Sequence, residues 1–277
     1  MNVSPKVSIV FVNYRSALYL KSALASLFAF EPVADFFEVI VVNNDADESA
    51  LLQALKQEYS FSLIESGGNL GFGRGNNLGV KEARGDILAF INPDILWTGA
   101  HLEKIESIFS KDDAIGVVGM TLLNEDEEPE MWSAGQAPNL FSLAHNNLLG
   151  AGSPHSWRYV WRFGQAPTED PSPSSLDWVS GGGLCIRKDV FSAIGGFDER
   201  FFLYFEDVDL CAEVRLRGFS VVRRTDLPLI HLGGKSSRST RLQKKHFYAS
   251  QKQYFDKWRP RWERTVLSWL QFFFCRV

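Results

Sequence analysis

The sequence predicts an α/β fold in which a mostly parallel sheet carries helices on both faces, followed by a helical C-terminal appendage. Three observations predict it. Short β-branched runs alternate with stretches of helical spacing through roughly the first 115 positions. Polar residues collect at the ends of those runs, and residues 235–277 turn basic and aromatic.

VSIVFVN at 7–13 is a strand by its β-branched content, and ALYLKSALASLFAF after it spaces its apolar residues as a helix does. FEVIVVN is followed by a helix over 47–59, FSLIES by one over 71–84, and DILAFIN by one over 99–110. A helix between successive strands makes a parallel sheet covered on both sides. After residue 115 the rhythm changes. AIGVVGM reads as another strand, NEDEEPE as an acidic solvated turn, and 164–175, GQAPTEDPSPSS, as an exposed loop. Residues 176–187, LDWVSGGGLCIR, return to strand character, and 205–218 read as a helix.

The 277 residues, 45% hydrophobic and 22% charged, can bury a sizeable core and contain no long low-complexity tract. Cys185, Cys211 and Cys275 are too few and too far apart for a disulfide framework or a CxxC zinc site, which suits a reducing compartment. MNVSPKVSIVFVNY lacks a basic leader followed by a long apolar stretch, so a cytoplasmic start is expected. The net charge of -4 hides an asymmetry, because residues 235–277 hold eleven Lys and Arg against Asp256 and Glu263.

Asn13, Asn43, Asn44, Asn92 and Asp94 fall at or just after predicted strand ends, on one rim, where α/β sheets bind ligands. Asn and Asp also favour turns for their own sake. NLGFGRGNNLGV, at 69–80, brings glycines that admit a ligand to the backbone, with Arg74 and the asparagines as donors. It is neither a Walker loop nor a GxGxxG fingerprint after the first strand, so a ligand-free helix entry is an equal reading. In FINPDI, Pro93 stiffens a turn carrying Asn92 and Asp94. Such a pair can hold Mg²⁺ or Mn²⁺ against a diphosphate, since these ions often take only one or two protein carboxylates; a plain turn is the alternative.

Glu206, Asp207 and Asp209 open a helix after RFFLYF. The helix dipole favours acids there, yet three carboxylates exceed what a cap requires. A carboxylate in a partly apolar setting can act as a general base toward a hydroxyl. His231, in PLIHLGGKS, is either structural or completes a metal site with Asp94.

In this order VSIVFVNY, VIVVNN, GNLGFGRGNNLGV, INPD, WVSGGGLCIRKDVFSAIGGFDERFFLYFEDVDLC and HLGGKS resemble the family 2 glycosyltransferases of GT-A fold, especially the bacterial rhamnosyltransferase-like branch, over roughly residues 6 to 257. The resemblance implies inverting transfer of a sugar from a nucleotide-sugar donor to a hydroxyl of a saccharide or lipid-linked acceptor in surface polysaccharide synthesis. dTDP-L-rhamnose is the favoured donor, with UDP-hexoses as the alternative. Asn13, Asn43 and Asn44 would line the base and ribose pocket, with Gly71, Arg74 and Asn77 near the nucleotide. Asp94 and His231 would bind the cation, Asn92 would face the ribose or a phosphate, and Asp207 would be the catalytic base. Trp178, Gly182 within SGGG and Glu206 would serve the acceptor.

The implied division is a GT-A domain over 1–234, its nucleotide-binding part to about 115 and its acceptor-binding part over about 116–234, then the tail over 235–277. Two positions depart from the family: Asn43 stands where Asp is usual, and many relatives carry a basic residue near Glu213.

In the tail, Trp262, Val266, Trp269 and Phe273 share one helical stripe, with Leu267, Leu270 and Phe274 beside it. Residues 265–275 are too few to span a bilayer, which needs about 20. Basic flanks with Trp and Phe suit a helix lying on an anionic membrane, and packing on the core or another subunit is an equal reading. No RNP, KH or helix-turn-helix signature supports nucleic acid binding. Two rivals to the enzyme stand: a non-catalytic nucleotide-sugar-binding scaffold, which intact Asp94, Asp207 and His231 oppose, and a nucleotidyltransferase. NYRSALYL, where the latter would carry a Gly-rich basic loop, opposes it.

Overall fold

The computed structural model describes residues 5–31, 35–130, 133–141, 143, 176–232 and 241–274. The loop expected over 164–175 and the Gly-rich turn after Leu232 lie outside these residues.

The first strand, β1 (Val7–Asn13), is buried along its whole length, and it pairs in parallel with β2 (Phe37–Asn43) and β4 (Ile87–Ile91). A strand buried on both faces can be apolar without alternation, which is why VSIVFVN and ILAFI read as continuous runs. Between β1 and β2, α1 (Ala17–Phe30) buries Ala17, Leu20, Ala23, Leu24 and Leu27, the spacing of one helical stripe. The helix expected over 47–59 is shorter. The chain first makes a 3₁₀ turn over Ala46–Glu48, capped by Asp45, and only then α2 (Ser49–Leu55). It continues through β3 (Ser62–Glu65), parallel to β2, and α3 (Phe72–Val80).

Beyond β4, β5 (Ile95–Trp97) and α4 (Leu102–Lys111) lead into β6 (Ile115–Leu123). A small second sheet joins β7 (Ala134–Gly135) to β8 (Trp178–Val179). The next strand, β9 (Gly183–Arg187), enters the main sheet between β4 and β6, antiparallel to both. After α5 (Lys188–Ile194) and α6 (Glu206–Leu216), β10 (Ser220–His231) runs parallel to β6 and antiparallel to β5. The main sheet therefore has the order β3-β2-β1-β4-β9-β6-β10-β5.

Neither β5 nor β10 is evident in the sequence. In SVVRRTDLPLIH the register against β6 shifts between Arg224 and Pro228, so the polar middle bulges out and hides the period-2 pattern. Pro228 is tolerated there because a bulge spares it from donating to the ladder.

Two apolar layers close the sheet. Ile9, Phe11, Val39 and Val41 face α1, α2 and α4 on one side, while Val10, Ile40, Val42 and Phe90 pack against Phe197, Phe201 and Cys211 on the other. Alternate residues of one strand thus serve opposite cores. The second core also takes in Tyr254 and Phe255 from α7 (Arg241–Trp258) and Leu267 from α8 (Arg261–Phe274). The C-terminal helices are therefore packed on the domain.

Candidate active site at the carboxyl rim

The loop before α6 aims its carboxylates. Tyr204 and Phe205 both have positive φ, 69° and 65°, a left-handed geometry costly for bulky side chains and sustained here by packing. Phe205 is wedged against Phe247 and Tyr254 of α7, and Ser250 Oγ donates to Leu203 O at 2.8 Å. The turn delivers Asp207 to the SGGG turn, where its Oδ2 accepts from the Gly181 N–H at 2.9 Å and its Oδ1 accepts from the Val208 N–H at 2.8 Å. Burial pushes the Asp207 carboxyl above the usual range against these two bonds. Glu206 is deeper, 5% exposed, and its Oε2 has no partner among the described residues. Burial first, and the neighbouring Asp207 charge second, push Glu206 well above a normal glutamate. Glu206 is pushed up further than Asp207 and in part by its charge, so Asp207 is the member of the pair that ionises first as pH rises. Asp209 is consumed by structure: Trp258 Nε1 donates to it at 2.7 Å and Lys257 Nζ pairs with it at 2.8 Å.

At the other end of this run of contacts, His231 closes β10. Its Nε2 lies 3.2 Å from Asp94 Oδ1, its Nδ1 lies 2.8 Å from Glu130 Oε2, and Leu232 N–H donates to Asp94 O at 2.8 Å. Burial opposes protonation of this imidazole, but the bonds to Asp94 and Glu130 outweigh it and push the pKa up to about 10. Among the described residues no group of three or more His, Cys, Asp or Glu is arranged as a metal cage. The Asp94 carboxylate and His231 Nε2 nevertheless form an oxygen and nitrogen pair on one side, and an ion that completes its shell from phosphate and water requires no more.

A short backbone path joins the two ends. Asn92 N–H donates to Gly182 O at 3.2 Å, and the adjacent Gly181 N–H is the one bonded to Asp207. A Cβ on Gly182 would sit 3.1 Å from Asn92 Nδ2, and one on Gly181 would sit 2.9 Å from the Phe72 ring. Gly181 and Gly182 are thus glycines because the Phe72 ring and the Asn92 amide crowd the turn.

The asparagines form the floor of the rim. Asn13, Asn43 and Asn44 are all buried. Asn13 Nδ2 donates to Asn43 Oδ1 at 3.1 Å and to Glu48 Oε2 at 2.8 Å. Glu48 Oε2 also accepts from Ser16 N at 3.0 Å, at the start of α1. Asn43 Nδ2 reaches Glu65 Oε2 at 2.8 Å and Ser49 Oγ at 3.1 Å, and Asn44 Nδ2 reaches Gly71 O at 3.0 Å. Gly71 has φ of 83°, and a Cβ there would run into the Phe202 carbonyl oxygen; Phe72 N–H bonds to that same oxygen at 3.0 Å. The turn before α3 is thereby fastened to the loop that precedes Asp207.

Asn77 clasps the 197–199 loop, donating to Phe197 O at 2.8 Å and accepting from Phe197 N at 2.9 Å. Arg74 pairs with Glu199 at 3.3 Å on the surface. Trp178 is buried with Nε1 donating to Gln136 O at 3.0 Å, so both it and Glu206 lie inside the domain rather than on its surface.

Glu48, Glu65 and Glu130 were not legible as site residues. Glu130 sits in the acidic NEDEEPE segment, which folds back through Asn124 Oδ1, acceptor for Asp126 N at 3.0 Å and Glu128 N at 2.8 Å. Glu130 N–H then bonds to Leu122 O at 2.9 Å and aims the side chain at His231. At the opposite end of the sheet a cleft of about 530 Å³ opens among Lys6, Asp86, Glu106, Arg187 and Lys188, away from this rim.

A curled, mostly parallel sheet with helices on both faces and a polar rim at its carboxyl ends defines a GT-A fold, and solved structures share it. A mannosyltransferase from Pyrobaculum calidifontis, in complex with GDP-Man and Mn²⁺, superposes with TM-score 0.59 at 16% identity over 92% of this chain and 64% of that chain. GalNAc-T7 with UDP, GalNAc and Mn²⁺ superposes with TM-score 0.62 at 14% identity over 92% of this chain and 48% of that chain. This chain therefore spans less than two thirds of either of these proteins.

Residues 8–172 match the family described as Glycosyl transferase family 2, and the chain belongs to that family. It is a glycosyltransferase. Among curated relatives it is similar to the N-acetylglucosaminyl-diphospho-decaprenol L-rhamnosyltransferase of Mycobacterium tuberculosis, 28% identical over 237 residues, which are 80% of this chain and 75% of the relative. It is similar also to the rhamnosyltransferase WbbL of Escherichia coli K12, 29% identical over 236 residues and 81% of each chain.

Proposed function

We propose that this chain transfers L-rhamnose from dTDP-L-rhamnose, with inversion, to a hydroxyl of a lipid-linked saccharide during cell-surface polysaccharide synthesis at the cytoplasmic face of the membrane. One observation supports the mechanism: Asp207, Gly181, Gly182, Asn92, Asp94 and His231 follow one another along the carboxyl rim by direct contacts and chain neighbours. Rhamnose as the sugar is supported by the names of both curated relatives, and a lipid diphosphate as the acceptor's carrier by the name of the first.

In this reading Asn13, Asn43 and Asn44 floor the base and ribose pocket, with Gly71, Arg74 and Asn77 shaping its entrance and Asn92 beside the diphosphate. Asp94 and His231 Nε2 would hold Mg²⁺ or Mn²⁺, which when bound neutralises the charge that builds on the departing diphosphate. Ionised Asp207 removes the proton from the acceptor hydroxyl as its oxygen attacks the anomeric carbon, and a single displacement inverts that centre. The Gly181 N–H holds the carboxylate in its attacking orientation. Gly182 lies on the acceptor side, while Trp178 and Glu206 support that surface from behind.

Thermal shift with dTDP-L-rhamnose, UDP-hexoses and GDP-mannose, with and without manganese, tests the donor, since only a bound ligand raises the midpoint. Asp207→Asn is expected to cut transfer by about 10²- to 10⁴-fold while donor binding survives. Stabilisation by a UDP-hexose alone would replace the donor. A wild type that binds donor but is inactive with a full acceptor panel would favour a scaffold.

A further inference from the structure

The C-terminal hairpin presents a second apolar face that the core does not use. One side of α8 is committed inward: Leu267 and Glu263 are buried, Arg259 pairs with Glu263, and Gln271 Nε2 donates to Gln251 Oε1 of α7 at 3.0 Å. The opposite side carries exposed apolar side chains. Trp262 is 63% exposed, Val266 42%, Trp269 66% and Leu270 42%, and Phe272 beside them is 70% exposed. Single exposed apolar residues require no explanation, but two tryptophans with aliphatic neighbours on one stripe mark an interaction surface.

The charge around this stripe names the partner. Residues 241–274 carry eight Lys and Arg against Asp256 and Glu263. Two of the cations are spent inside: Lys257 on Asp198, Asp209 and Glu213, and Arg259 on Glu263. Arg241, Lys244, Lys245 and Arg261 are exposed. An aromatic and aliphatic face on a hairpin that also carries exposed cations fits the interface of an anionic bilayer, where the rings sit at headgroup level and the cations meet lipid phosphates. None of the described helices is long and apolar enough to cross a membrane, so such a helix lies on the surface.

We propose that the outer face of α8, with the exposed cations of α7, is the docking surface for an anionic lipid bilayer. It complements the lipid-linked acceptor reading but stands on separate observations. The hairpin is tied to the chemistry: the His246 ring stacks on Phe202 at 4.4 Å, and Ser250 holds Leu203, both in the loop that delivers Asp207. Docking would bring the carboxyl rim to the surface where a lipid-borne hydroxyl resides.

The test is sedimentation of the full chain with phosphatidylglycerol vesicles and with phosphatidylcholine vesicles, at low and high salt. Binding is expected to phosphatidylglycerol, at least ten-fold weaker to phosphatidylcholine, and weakened by salt. Trp262→Ser/Val266→Ser and Lys244→Glu/Lys245→Glu are each expected to lose about ten-fold or more while keeping the wild-type melting temperature. Transfer to a water-soluble acceptor should be unchanged in both, and transfer to an acceptor embedded in vesicles should fall. Absence of binding at low salt, or undiminished binding by the tryptophan variant, overturns the proposal. So does a concentration-dependent dimer that the tryptophan variant dissociates, since a second copy would then cover the face. Because vesicle binding is scored without any sugar, its failure is distinct from a failure of the proposed transfer.

Discussion

Glu130 Oε2 and His231 Nδ1 lie 2.8 Å apart although 101 positions separate them in the chain. The contact fixes the ring so that Nε2 faces Asp94, and carboxylates of this kind orient imidazoles that bind metals. Glu130→Ala is therefore expected to weaken Mn²⁺ binding on the order of 10- to 100-fold. Glu130→Gln, which can still accept from Nδ1–H, should fall between that variant and the wild type. Titration of free Mn²⁺ by electron paramagnetic resonance, without substrate, reads the effect, and equal affinities in all three proteins would contradict it.

Asp207 must be ionised to accept a proton, and burial raises its carboxyl above the ordinary value. The acid limb of kcat/KM should thus lie above the normal aspartate range, with activity rising as pH rises through it. Asp207→Asn should lower kcat by about 10²- to 10⁴-fold and remove that limb from the residual rate. A wild-type limb at or below the usual aspartate value would remove Asp207 from the role of base.

Glu206 enters the fold protonated, because burial and the Asp207 charge hold its carboxyl well above the ordinary 4.5. The unfolded chain loses that proton near 4.5, so the stability Glu206 contributes is present in full below that pH and is lost as pH rises toward the folded value. Glu206→Gln should flatten this dependence: similar to wild type in acid, and more stable by several degrees near neutrality. Melting curves across the pH range decide it, and parallel wild-type and variant profiles would refute it.

Asn43 donates to Glu65 at 2.8 Å, so the aspartate usual in the family would here oppose a carboxylate. Asn43→Asp should cost on the order of 1–3 kcal/mol. Asn43→Asp/Glu65→Gln should recover most of the loss, because the new amide can donate to the new carboxylate. A double-mutant cycle by urea denaturation measures the coupling, and strict additivity would deny it.

The sequence announced β1, β2 and β4 because strands buried on both faces are written as unbroken apolar runs. It announced the rim because Asn13, Asn43 and Asn92 each stand at or one past the last residue of such a run. β10 stayed hidden since its bulge interrupts the alternation, and β5 since three residues give no period to read. Glu48, Glu65 and Glu130 stayed hidden for another reason. Each acts on an amide or imidazole distant in the chain, and nothing in the local sequence distinguishes a carboxylate that will meet a partner from one left in solvent.

The insertion of β9 between β4 and β6 has a consequence for biosynthesis. When the first 130 residues have left the ribosome, β4 still shows a bare hydrogen-bonding edge, and β6 has no neighbour until residues 183–187 arrive to fill the gap. A nascent chain paused before that point would expose two sticky apolar borders, an invitation to chaperones or to aggregation. For the same reason a chimera joined to a relative within this interval would have to make a central strand fit two foreign edges at once.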